Sequence, residues 1–170
     1  MPRQLEFPYA SGEDGDKGHV TLNWLTCETA DTGELLVLEM LEHILLGLPG
    51  SPLRKALIES GLGEDLTGGG LETDLRQTFF SVGLRSITPG TAGDVEMLVM
   101  DTLAELAENG IPAAAVEAAV NSVEFDLREN NSGRFPRGLA AMIRSLATWL
   151  YDGDPIAPLA WEKPLAALKA

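Results

Sequence analysis

Residues 76–87, RQTFFSVGLRSI, alternate between polar and apolar side chains over most of their length. Phe80, Val82 and Leu84 would lie on one face of an extended chain, because successive side chains of a β-strand point to opposite faces. This alternation predicts a half-buried strand from about residue 77 to 87. No later stretch alternates in this way, so the predicted strand separates a part of the sequence with strands from a part with helices alone.

The sequence after residue 91 has the period of amphipathic helices. Breaks at NGIP (109–112) and NNSG (130–133) divide it into three helices, and two short helical turns are predicted near the C-terminal end. In the first helix, apolar residues recur at i, i+3, i+4, i+8 and i+11 and form one stripe. They are Val95, Leu98, Val99, Leu103 and Leu106.

The first sixty residues predict a second strand and two more helices. GHVTLNWLTCET, residues 18–29, alternates as a half-buried strand does. Asp31 or Thr32 could cap a helix that ends before Gly47. SPLRKALIESG, residues 51–61, predicts a shorter helix with a serine as N-cap and a proline at its first position.

A glycine-rich stretch, LGEDLTGGGLETD, connects these helices to the strand at 76–87. Residues 66–74 within it predict a weak strand that pairs with the strand at 76–87. We expect Gly68–Gly70 to be mobile or irregular, since glycine loses the most backbone entropy on ordering. The order of elements therefore predicts an α+β fold with a small, mostly antiparallel sheet and helices packed on one face.

The composition is that of one acidic domain. The chain has 170 residues, with 26 acidic and 12 basic side chains and a formal net charge of −14. Because a strongly acidic surface repels phosphate backbones, we expect no nucleic-acid partner. Residues 1–16 lack the apolar core of a secretory signal, and we expect a polar lead-in followed by a single domain at 17–170.

Cysteine and apolar content bear on the cellular compartment. Cys27 is the single cysteine, so no internal disulfide can form, which suits a reducing compartment. No run of about 18 apolar residues occurs, and we therefore expect neither a transmembrane helix nor a membrane partner. These features together predict a cytoplasmic location.

One stretch, LEMLEHILLG at residues 38–47, differs at one position from a zinc-hydrolase motif. With His in place of Glu39, the sequence would read H-x-x-E-H, in which two His hold the metal and the Glu activates a water. Glu39, Glu42 and His43 share one helical face. They could form a degenerate metal site, although zinc usually takes more nitrogen or sulfur ligands. They could equally be a solvated stripe on an otherwise apolar helix.

Two further carboxylates, Glu117 and Glu124, lie seven residues apart on the second long helix. They would face away from the valines of that helix, on the side that also carries Arg128. The simplest interpretation is a solvent-exposed face with an i, i+4 ion pair between Glu124 and Arg128.

Three long stretches of the chain resemble a known family. They are GSPLRKALIESGLGEDLTGGGLETDLRQTFFSVGLRSI, VNSVEFDLRENNSGRFPRGLAAMIRSLATWLYDGDP and PLAWEKPLAALK. Together they resemble the second domain of the presequence-protease branch of the pitrilysin/insulinase zinc metallopeptidases. The resemblance covers roughly residues 17–169 and rests on ordered matches such as SPLRKALIESGLG and WLYDGDP.

The resemblance implies an architecture and a division of roles. Such proteases consist of four similar α+β domains, related to the LuxS/mitochondrial-processing-peptidase-like fold, whose two halves close around peptides. The first domain carries H-x-x-E-H and a distant Glu as the zinc ligands, and the second repeats the fold without the metal. Glu39, Glu42 and His43 would then be a non-catalytic copy of the motif, and Glu117 and Glu124 would echo the downstream carboxylate helix.

From the resemblance we predict a non-catalytic structural and substrate-chamber domain, a fragment of a longer peptide-degrading zinc peptidase. This chain alone would hold no zinc and have no catalytic residue. Its partners would be the other domains of the polypeptide and the peptide substrates, and the isolated domain could form a weak homodimer. Two alternatives remain open: a degenerate metal-dependent hydrolase that uses Glu39, Glu42 and His43, or a free-standing module that binds peptides at a sheet edge.

Overall fold

The computed structural model describes residues 2–10, 17–129 and 135–169. Three strands and six α-helices follow one another in the described chain. They are β1 (Gly18–Glu28), α1 (Thr32–Glu42), α2 (Pro52–Glu59), β2 (Asp65–Glu72), β3 (Gln77–Ile87), α3 (Ala92–Asn109), α4 (Ala113–Glu129), α5 (Arg137–Trp149) and α6 (Glu162–Leu168). A π-helical turn, His43–Gly47, extends α1, and a 3-10 turn, Ala157–Leu159, precedes α6.

The three strands form one antiparallel sheet in the order β1-β3-β2. The strand predicted at 77–87 is therefore central and has the predicted bounds. On its inner face Phe80 pairs with Trp24 across the sheet, and the two rings lie 5.9 Å apart. The prediction of a small antiparallel sheet in an α+β fold is confirmed.

Strand β2 forms, but its pairing with β3 is irregular where glycines replace side chains. The register shifts between Thr67 and Gly70. Gly68 has a positive φ of 89°, and a Cβ on it would lie 2.6 Å from the carbonyl oxygen of Ser81. A larger residue would be strained and would collide with β3, so this edge strand requires glycine there. The register shift confirms the expected irregularity at Gly68–Gly70.

The main core lies between one face of the sheet and the helices α2 and α3. Partly buried side chains of β1 and β2 pack against it, and the alternation of the strands and the stripe of α3 were therefore readable in the sequence. Its buried members come from β3, α2, α3 and the π-helical turn. They are Leu45, Leu53, Leu57, Val82, Leu84, Ile87, Val95 and Val99.

A second apolar cluster covers the opposite side of α1. Leu36 and Met40 of α1 pack there with Leu165 of α6, beside apolar residues of α4. Helix α1 therefore contacts β2 of the sheet as well as α4 and α6. The helix predicted over residues 35–46 is apolar nearly all round, and we expected a one-layer helical cover to bury only one side of it. That expectation is wrong, because among the large apolar residues of α1 only Val37 is exposed.

Of the two predicted N-caps at the starts of α1 and α2, the structure shows one. Asp31 caps α1 by accepting a hydrogen bond from the backbone N–H of Glu34 at 3.1 Å. Ser51 makes no such cap for α2. Its hydroxyl accepts the N–H of Leu48 and donates to the carbonyl of His43, and so it holds the loop between the π-helical turn and α2.

The segment Thr32–Glu59 is long and apolar enough to cross a membrane by length and composition, which corrects our expectation that the chain has no such segment. The core helix of a soluble protein meets the same test. The helix is broken between Gly47 and Pro52, and it carries acidic side chains midway. On its own, therefore, the segment is weak evidence for a membrane span.

The N-terminal residues 2–10 form neither helix nor strand. Tyr9 anchors them to the start of β1, because its ring lies 5.2 Å from the ring of His19 and its hydroxyl donates to the carbonyl of Lys17. Two predicted features fall outside the described residues. They are residues 11–16 of the expected lead-in and the NNSG break at 130–133, which lies within the stretch RENNSGRFPRGL.

Candidate functional site

A cavity of about 540 Å³ opens where α1, α4 and α5 meet the end of β2. Glu39, Glu42 and His43 all line it, as their shared helical face predicts. The rest of the wall is partly apolar and partly charged. It consists of Gly47, Leu71, Thr73, Val123, Asp126, Leu127, Ala140 and Arg144.

Glu39 is partly buried in this wall and is not part of a solvated stripe. Burial raises the pKa of its carboxyl group. The guanidinium of Arg144 opposes this shift, and the neighbouring Glu42 adds to it. The interpretation of residues 39–43 as a solvated stripe is wrong for Glu39, because this residue is partly buried and shares the cavity wall with Arg144 of α5.

Glu42 lies beside the free edge of β2. Burial raises the pKa of its carboxyl group, while the backbone N–H of Leu71 and the imidazole of His43 oppose the shift. A Cβ on Gly70 would collide with the Glu42 carboxylate, and Gly70 also has a positive φ of 71°. The glycine at this position therefore gives the carboxylate its place against the strand.

The residues of the degenerate motif do not form a metal-ligand set. Within the described ranges, no group of three or more His, Cys, Asp or Glu side chains is placed to hold a metal ion. His19, the other imidazole of the chain, is on β1 and stacks near Tyr9. The cavity thus contains one imidazole, where the H-x-x-E-H arrangement has two.

The carboxylate that α4 contributes to the larger cavity is neither of the two that were named from the sequence. Asp126 lines the cavity between Val123 and Leu127, whereas Glu117 and Glu124 do not. The sequence contained a signal for Asp126, since it lies three residues after an inward-facing valine and so shares its helical face.

Glu124 is engaged in ion pairs at the other side of α4. Its carboxylate accepts from Arg128 at 2.6 Å, which confirms the predicted pair, and from Lys169 near the end of α6. These contacts, that of Lys169 first, hold the pKa of Glu124 below its usual value. With Lys169 over it, the Glu124 side chain is 15% exposed and not openly solvated as expected.

A smaller cavity of about 140 Å³ adjoins the first and shares four lining residues with it, Glu39, Thr73, Leu127 and Arg144. Thr148 lines this chamber and is 2% exposed. Its hydroxyl has no hydrogen-bond partner within the part of the chain that the structure describes. Sequence reasoning missed Arg144 and Thr148, because they lie about a hundred residues after α1 and no local pattern links them.

The arrangement suits binding better than bond cleavage. Three carboxylates face one guanidinium and one imidazole around the larger cavity. Such a wall can accept hydrogen bonds from a cationic group, and the apolar residues beside it can contact a hydrocarbon stem. It lacks the paired imidazoles that the H-x-x-E-H chemistry needs.

Comparison with known proteins places these features in a family. A family model described as the inactive domain of M16 peptidases matches residues 3–123. Presequence protease 1, chloroplastic/mitochondrial, of Arabidopsis thaliana is 48% identical over 172 residues, which cover 99% of this chain and 16% of that protein. Protein HypA of Clostridium perfringens is 34% identical over 171 residues, which cover 99% of this chain and 18% of that protein.

A solved structure shows the same fold. It is the inactive peptidase domain of a protein described as a zinc protease from Bordetella parapertussis, with a TM-score of 0.64, 16% identity, and coverage of 89% of this chain and 80% of that one. The chain spans about one sixth of the length of the curated relatives it matches.

Proposed function

The chain belongs to the Peptidase M16 inactive domain family, and from this premise we propose that it is a wall of the peptide-degrading chamber of a longer zinc metallopeptidase. Relatives named presequence proteases, which are several times longer than this chain, support the proposal. In it, the chain contributes no catalytic residue, supports the catalytic domain and contacts peptides.

One observation carries the proposal. The helix face that would hold H-x-x-E-H in a catalytic domain presents Glu39 at its first position, and this face borders an open cavity of about 540 Å³. The cavity is thus open at a position where this chain has Glu39 and the motif has a histidine. A surface of this kind can contact a substrate that another domain cuts.

We propose that the first domain of the longer polypeptide, and not this chain, binds the zinc. The structural neighbour from Bordetella parapertussis is described as part of a zinc protease, which supports zinc in the family's catalytic partners. In this chain, Glu39, Glu42 and His43 offer a single nitrogen ligand, and zinc sites usually have more.

Zinc content tests the assignment of the metal to another domain. In the complete polypeptide that contains this chain, His43→Ala should leave the number of zinc ions per chain unchanged, as measured by elemental analysis. Removal of zinc by a chelator should abolish peptide hydrolysis. If His43→Ala removes about one zinc per chain, then the degenerate-hydrolase alternative is right.

A second candidate function is peptide binding by this domain alone, and the position of β2 favours it. Strand β2 is at the edge of the described sheet, and its end at Leu71 borders the cavity. An extended peptide could pair with such an edge. Titration of a peptide into this chain, with and without the rest of the polypeptide, separates the two functions. Equal affinity in both favours the free-standing module.

We also propose a reducing compartment, the cytoplasm, for this chain. Cys27 is free, partly buried and 3.6 Å from the hydroxyl of Thr78. Fractionation of cells followed by detection of the chain would test the location, and recovery from an oxidising compartment would contradict it.

A further inference from the structure

Helix α5 exposes most of its large apolar side chains, while Leu146 is partly buried. Five of them share one face, at spacings of three, four, ten and eleven residues from the first. Their exposed fractions lie between 36% and 71%. This set, named the α5 stripe, consists of Leu139, Met142, Ile143, Trp149 and Leu150.

The opposite side of α5 faces the body of the domain with small and polar residues. Ala147 and Thr148 are buried there, and Arg144 lines both cavities. The helix is thus inverted relative to one on the surface of a self-sufficient globule, which would bury its large apolar residues. Contiguous exposed apolar faces of this kind mark interaction sites.

The charge of this helix also differs from that of the chain. Residues 137–151 contain two arginines and no acidic residue, in a chain with 26 acidic side chains. Interface cores are depleted in Asp and Glu and enriched in aromatic residues, Met and Arg. The α5 stripe, with Trp149 and Met142 among its members, has this composition.

We propose that the α5 stripe is the docking face for another domain of the same polypeptide, which supplies an apolar helical surface. The proposal rests on the proposed function. The relatives are about six times as long as this chain, so most of each relative lies outside the matched part. The spacing of the stripe matches the ridge that one helix presents to another.

Charge argues against the other occupants. Two copies of a chain with a net charge of −14 repel each other, whereas a linked domain is held at high local concentration. An anionic lipid surface would repel the chain for the same reason.

Cysteine accessibility tests the docking face in the complete polypeptide that contains this chain. Met142→Cys lies in the stripe, and Met97→Cys on α3 is its matched control, because the two methionines are 50% and 57% exposed. Alkylation of each site is followed by mass spectrometry of its peptide. In the folded polypeptide we expect Met142→Cys to react at least about tenfold more slowly than Met97→Cys. After unfolding, the two rates should be equal.

Three results would overturn the proposal. Equal alkylation rates in the folded polypeptide would show that nothing covers the stripe. Protection that appears only as protein concentration rises would assign the stripe to a second copy. Protection that appears only with vesicles of anionic lipid would assign it to a membrane.

The readout is independent of peptide hydrolysis. A polypeptide that protects Met142→Cys but cuts no peptide would refute the proposed function and leave the docking face standing. One that cuts peptides while Met142→Cys and Met97→Cys react alike would refute the docking face alone.

Discussion

At the residue scale, Glu39 stands out as a carboxylate held where its charge is unfavourable. Burial is the main cause of its raised pKa, so the folded state binds a proton more tightly there than the unfolded state does. This difference in proton binding sets how the free energy of unfolding changes with pH. Ionised Glu39 costs stability at neutral pH, and this cost disappears as the pH falls below the ordinary glutamate pKa.

Glu39→Gln should therefore stabilise the fold at neutral pH. We expect the free energy of unfolding to rise by about 1 kcal/mol at pH 7, since a buried charge is replaced by a neutral group. The gain should shrink as the pH falls toward 4, where Glu39 is protonated in both states. Urea unfolding at several pH values measures it, and Glu105→Gln on the exposed side of α3 is the control. A variant less stable than the wild type at pH 7 would contradict the prediction.

Gly70 is a second residue whose role is steric. Its positive φ and its approach to the Glu42 carboxylate exclude a side chain, whereas nothing lies within 4 Å of a Cβ placed on Gly69. Gly70→Ala should lower the free energy of unfolding by about 1–3 kcal/mol, and Gly69→Ala should have a much smaller effect. Chemical denaturation of both variants compares them. Similar losses in the two would show that neither the positive φ nor the Glu42 carboxylate restricts this position.

At the element scale, the sheet combines a regular central strand with an irregular edge strand. Strand β3 pairs on both sides, while β2 pairs on one side and loses register between Thr67 and Gly70. Backbone amides in a bulged edge open more easily than those in a central strand.

Hydrogen exchange should therefore be fast across Gly68–Gly70 and slow across residues 78–86. Mass spectrometry of deuterated peptides from the two segments measures the difference within one sample, so β3 is an internal control. Slow exchange at Gly68–Gly70 would mean that the glycine bulge is as stable as the sheet centre.

At the scale of the whole molecule, a large uncovered apolar surface opposes a large net charge. The chain exposes Trp149 and Leu150 at the end of α5, yet it carries a net charge of −14. Burial of apolar area favours association at roughly 25 cal/mol per Å², and charge repulsion opposes it until salt screens it.

The chain produced alone lacks the domain that would cover the α5 stripe. It should therefore form a weak dimer, which strengthens as salt screens the repulsion between the two copies. Sedimentation at high concentration, in low and high salt, measures this. Met142→Glu should weaken the dimer, because it places a charge in the α5 stripe, and Met97→Glu should not. A strict monomer in both salts would count against an uncovered interface.

The sequence by itself determined the elements and the family. Alternation gave β3 its bounds, Asp31 marked the start of α1, and the long stretches around SPLRKALIESGLG led to the M16 inactive domain. These features follow from local periodicity, capping and ordered residue matches, which one stretch of chain contains in full.

Only the tertiary structure decided which surfaces are covered and what surrounds Glu39. Arg144 and Thr148 of α5 line the cavities together with Glu39 of α1, and α6 packs on α1 through Leu165. Such contacts join residues a hundred positions apart, and periodicity within a helix identifies an apolar face without naming what lies against it. For the same reason the sequence showed α5 as an amphipathic helix, and packing alone revealed that its apolar face points outward.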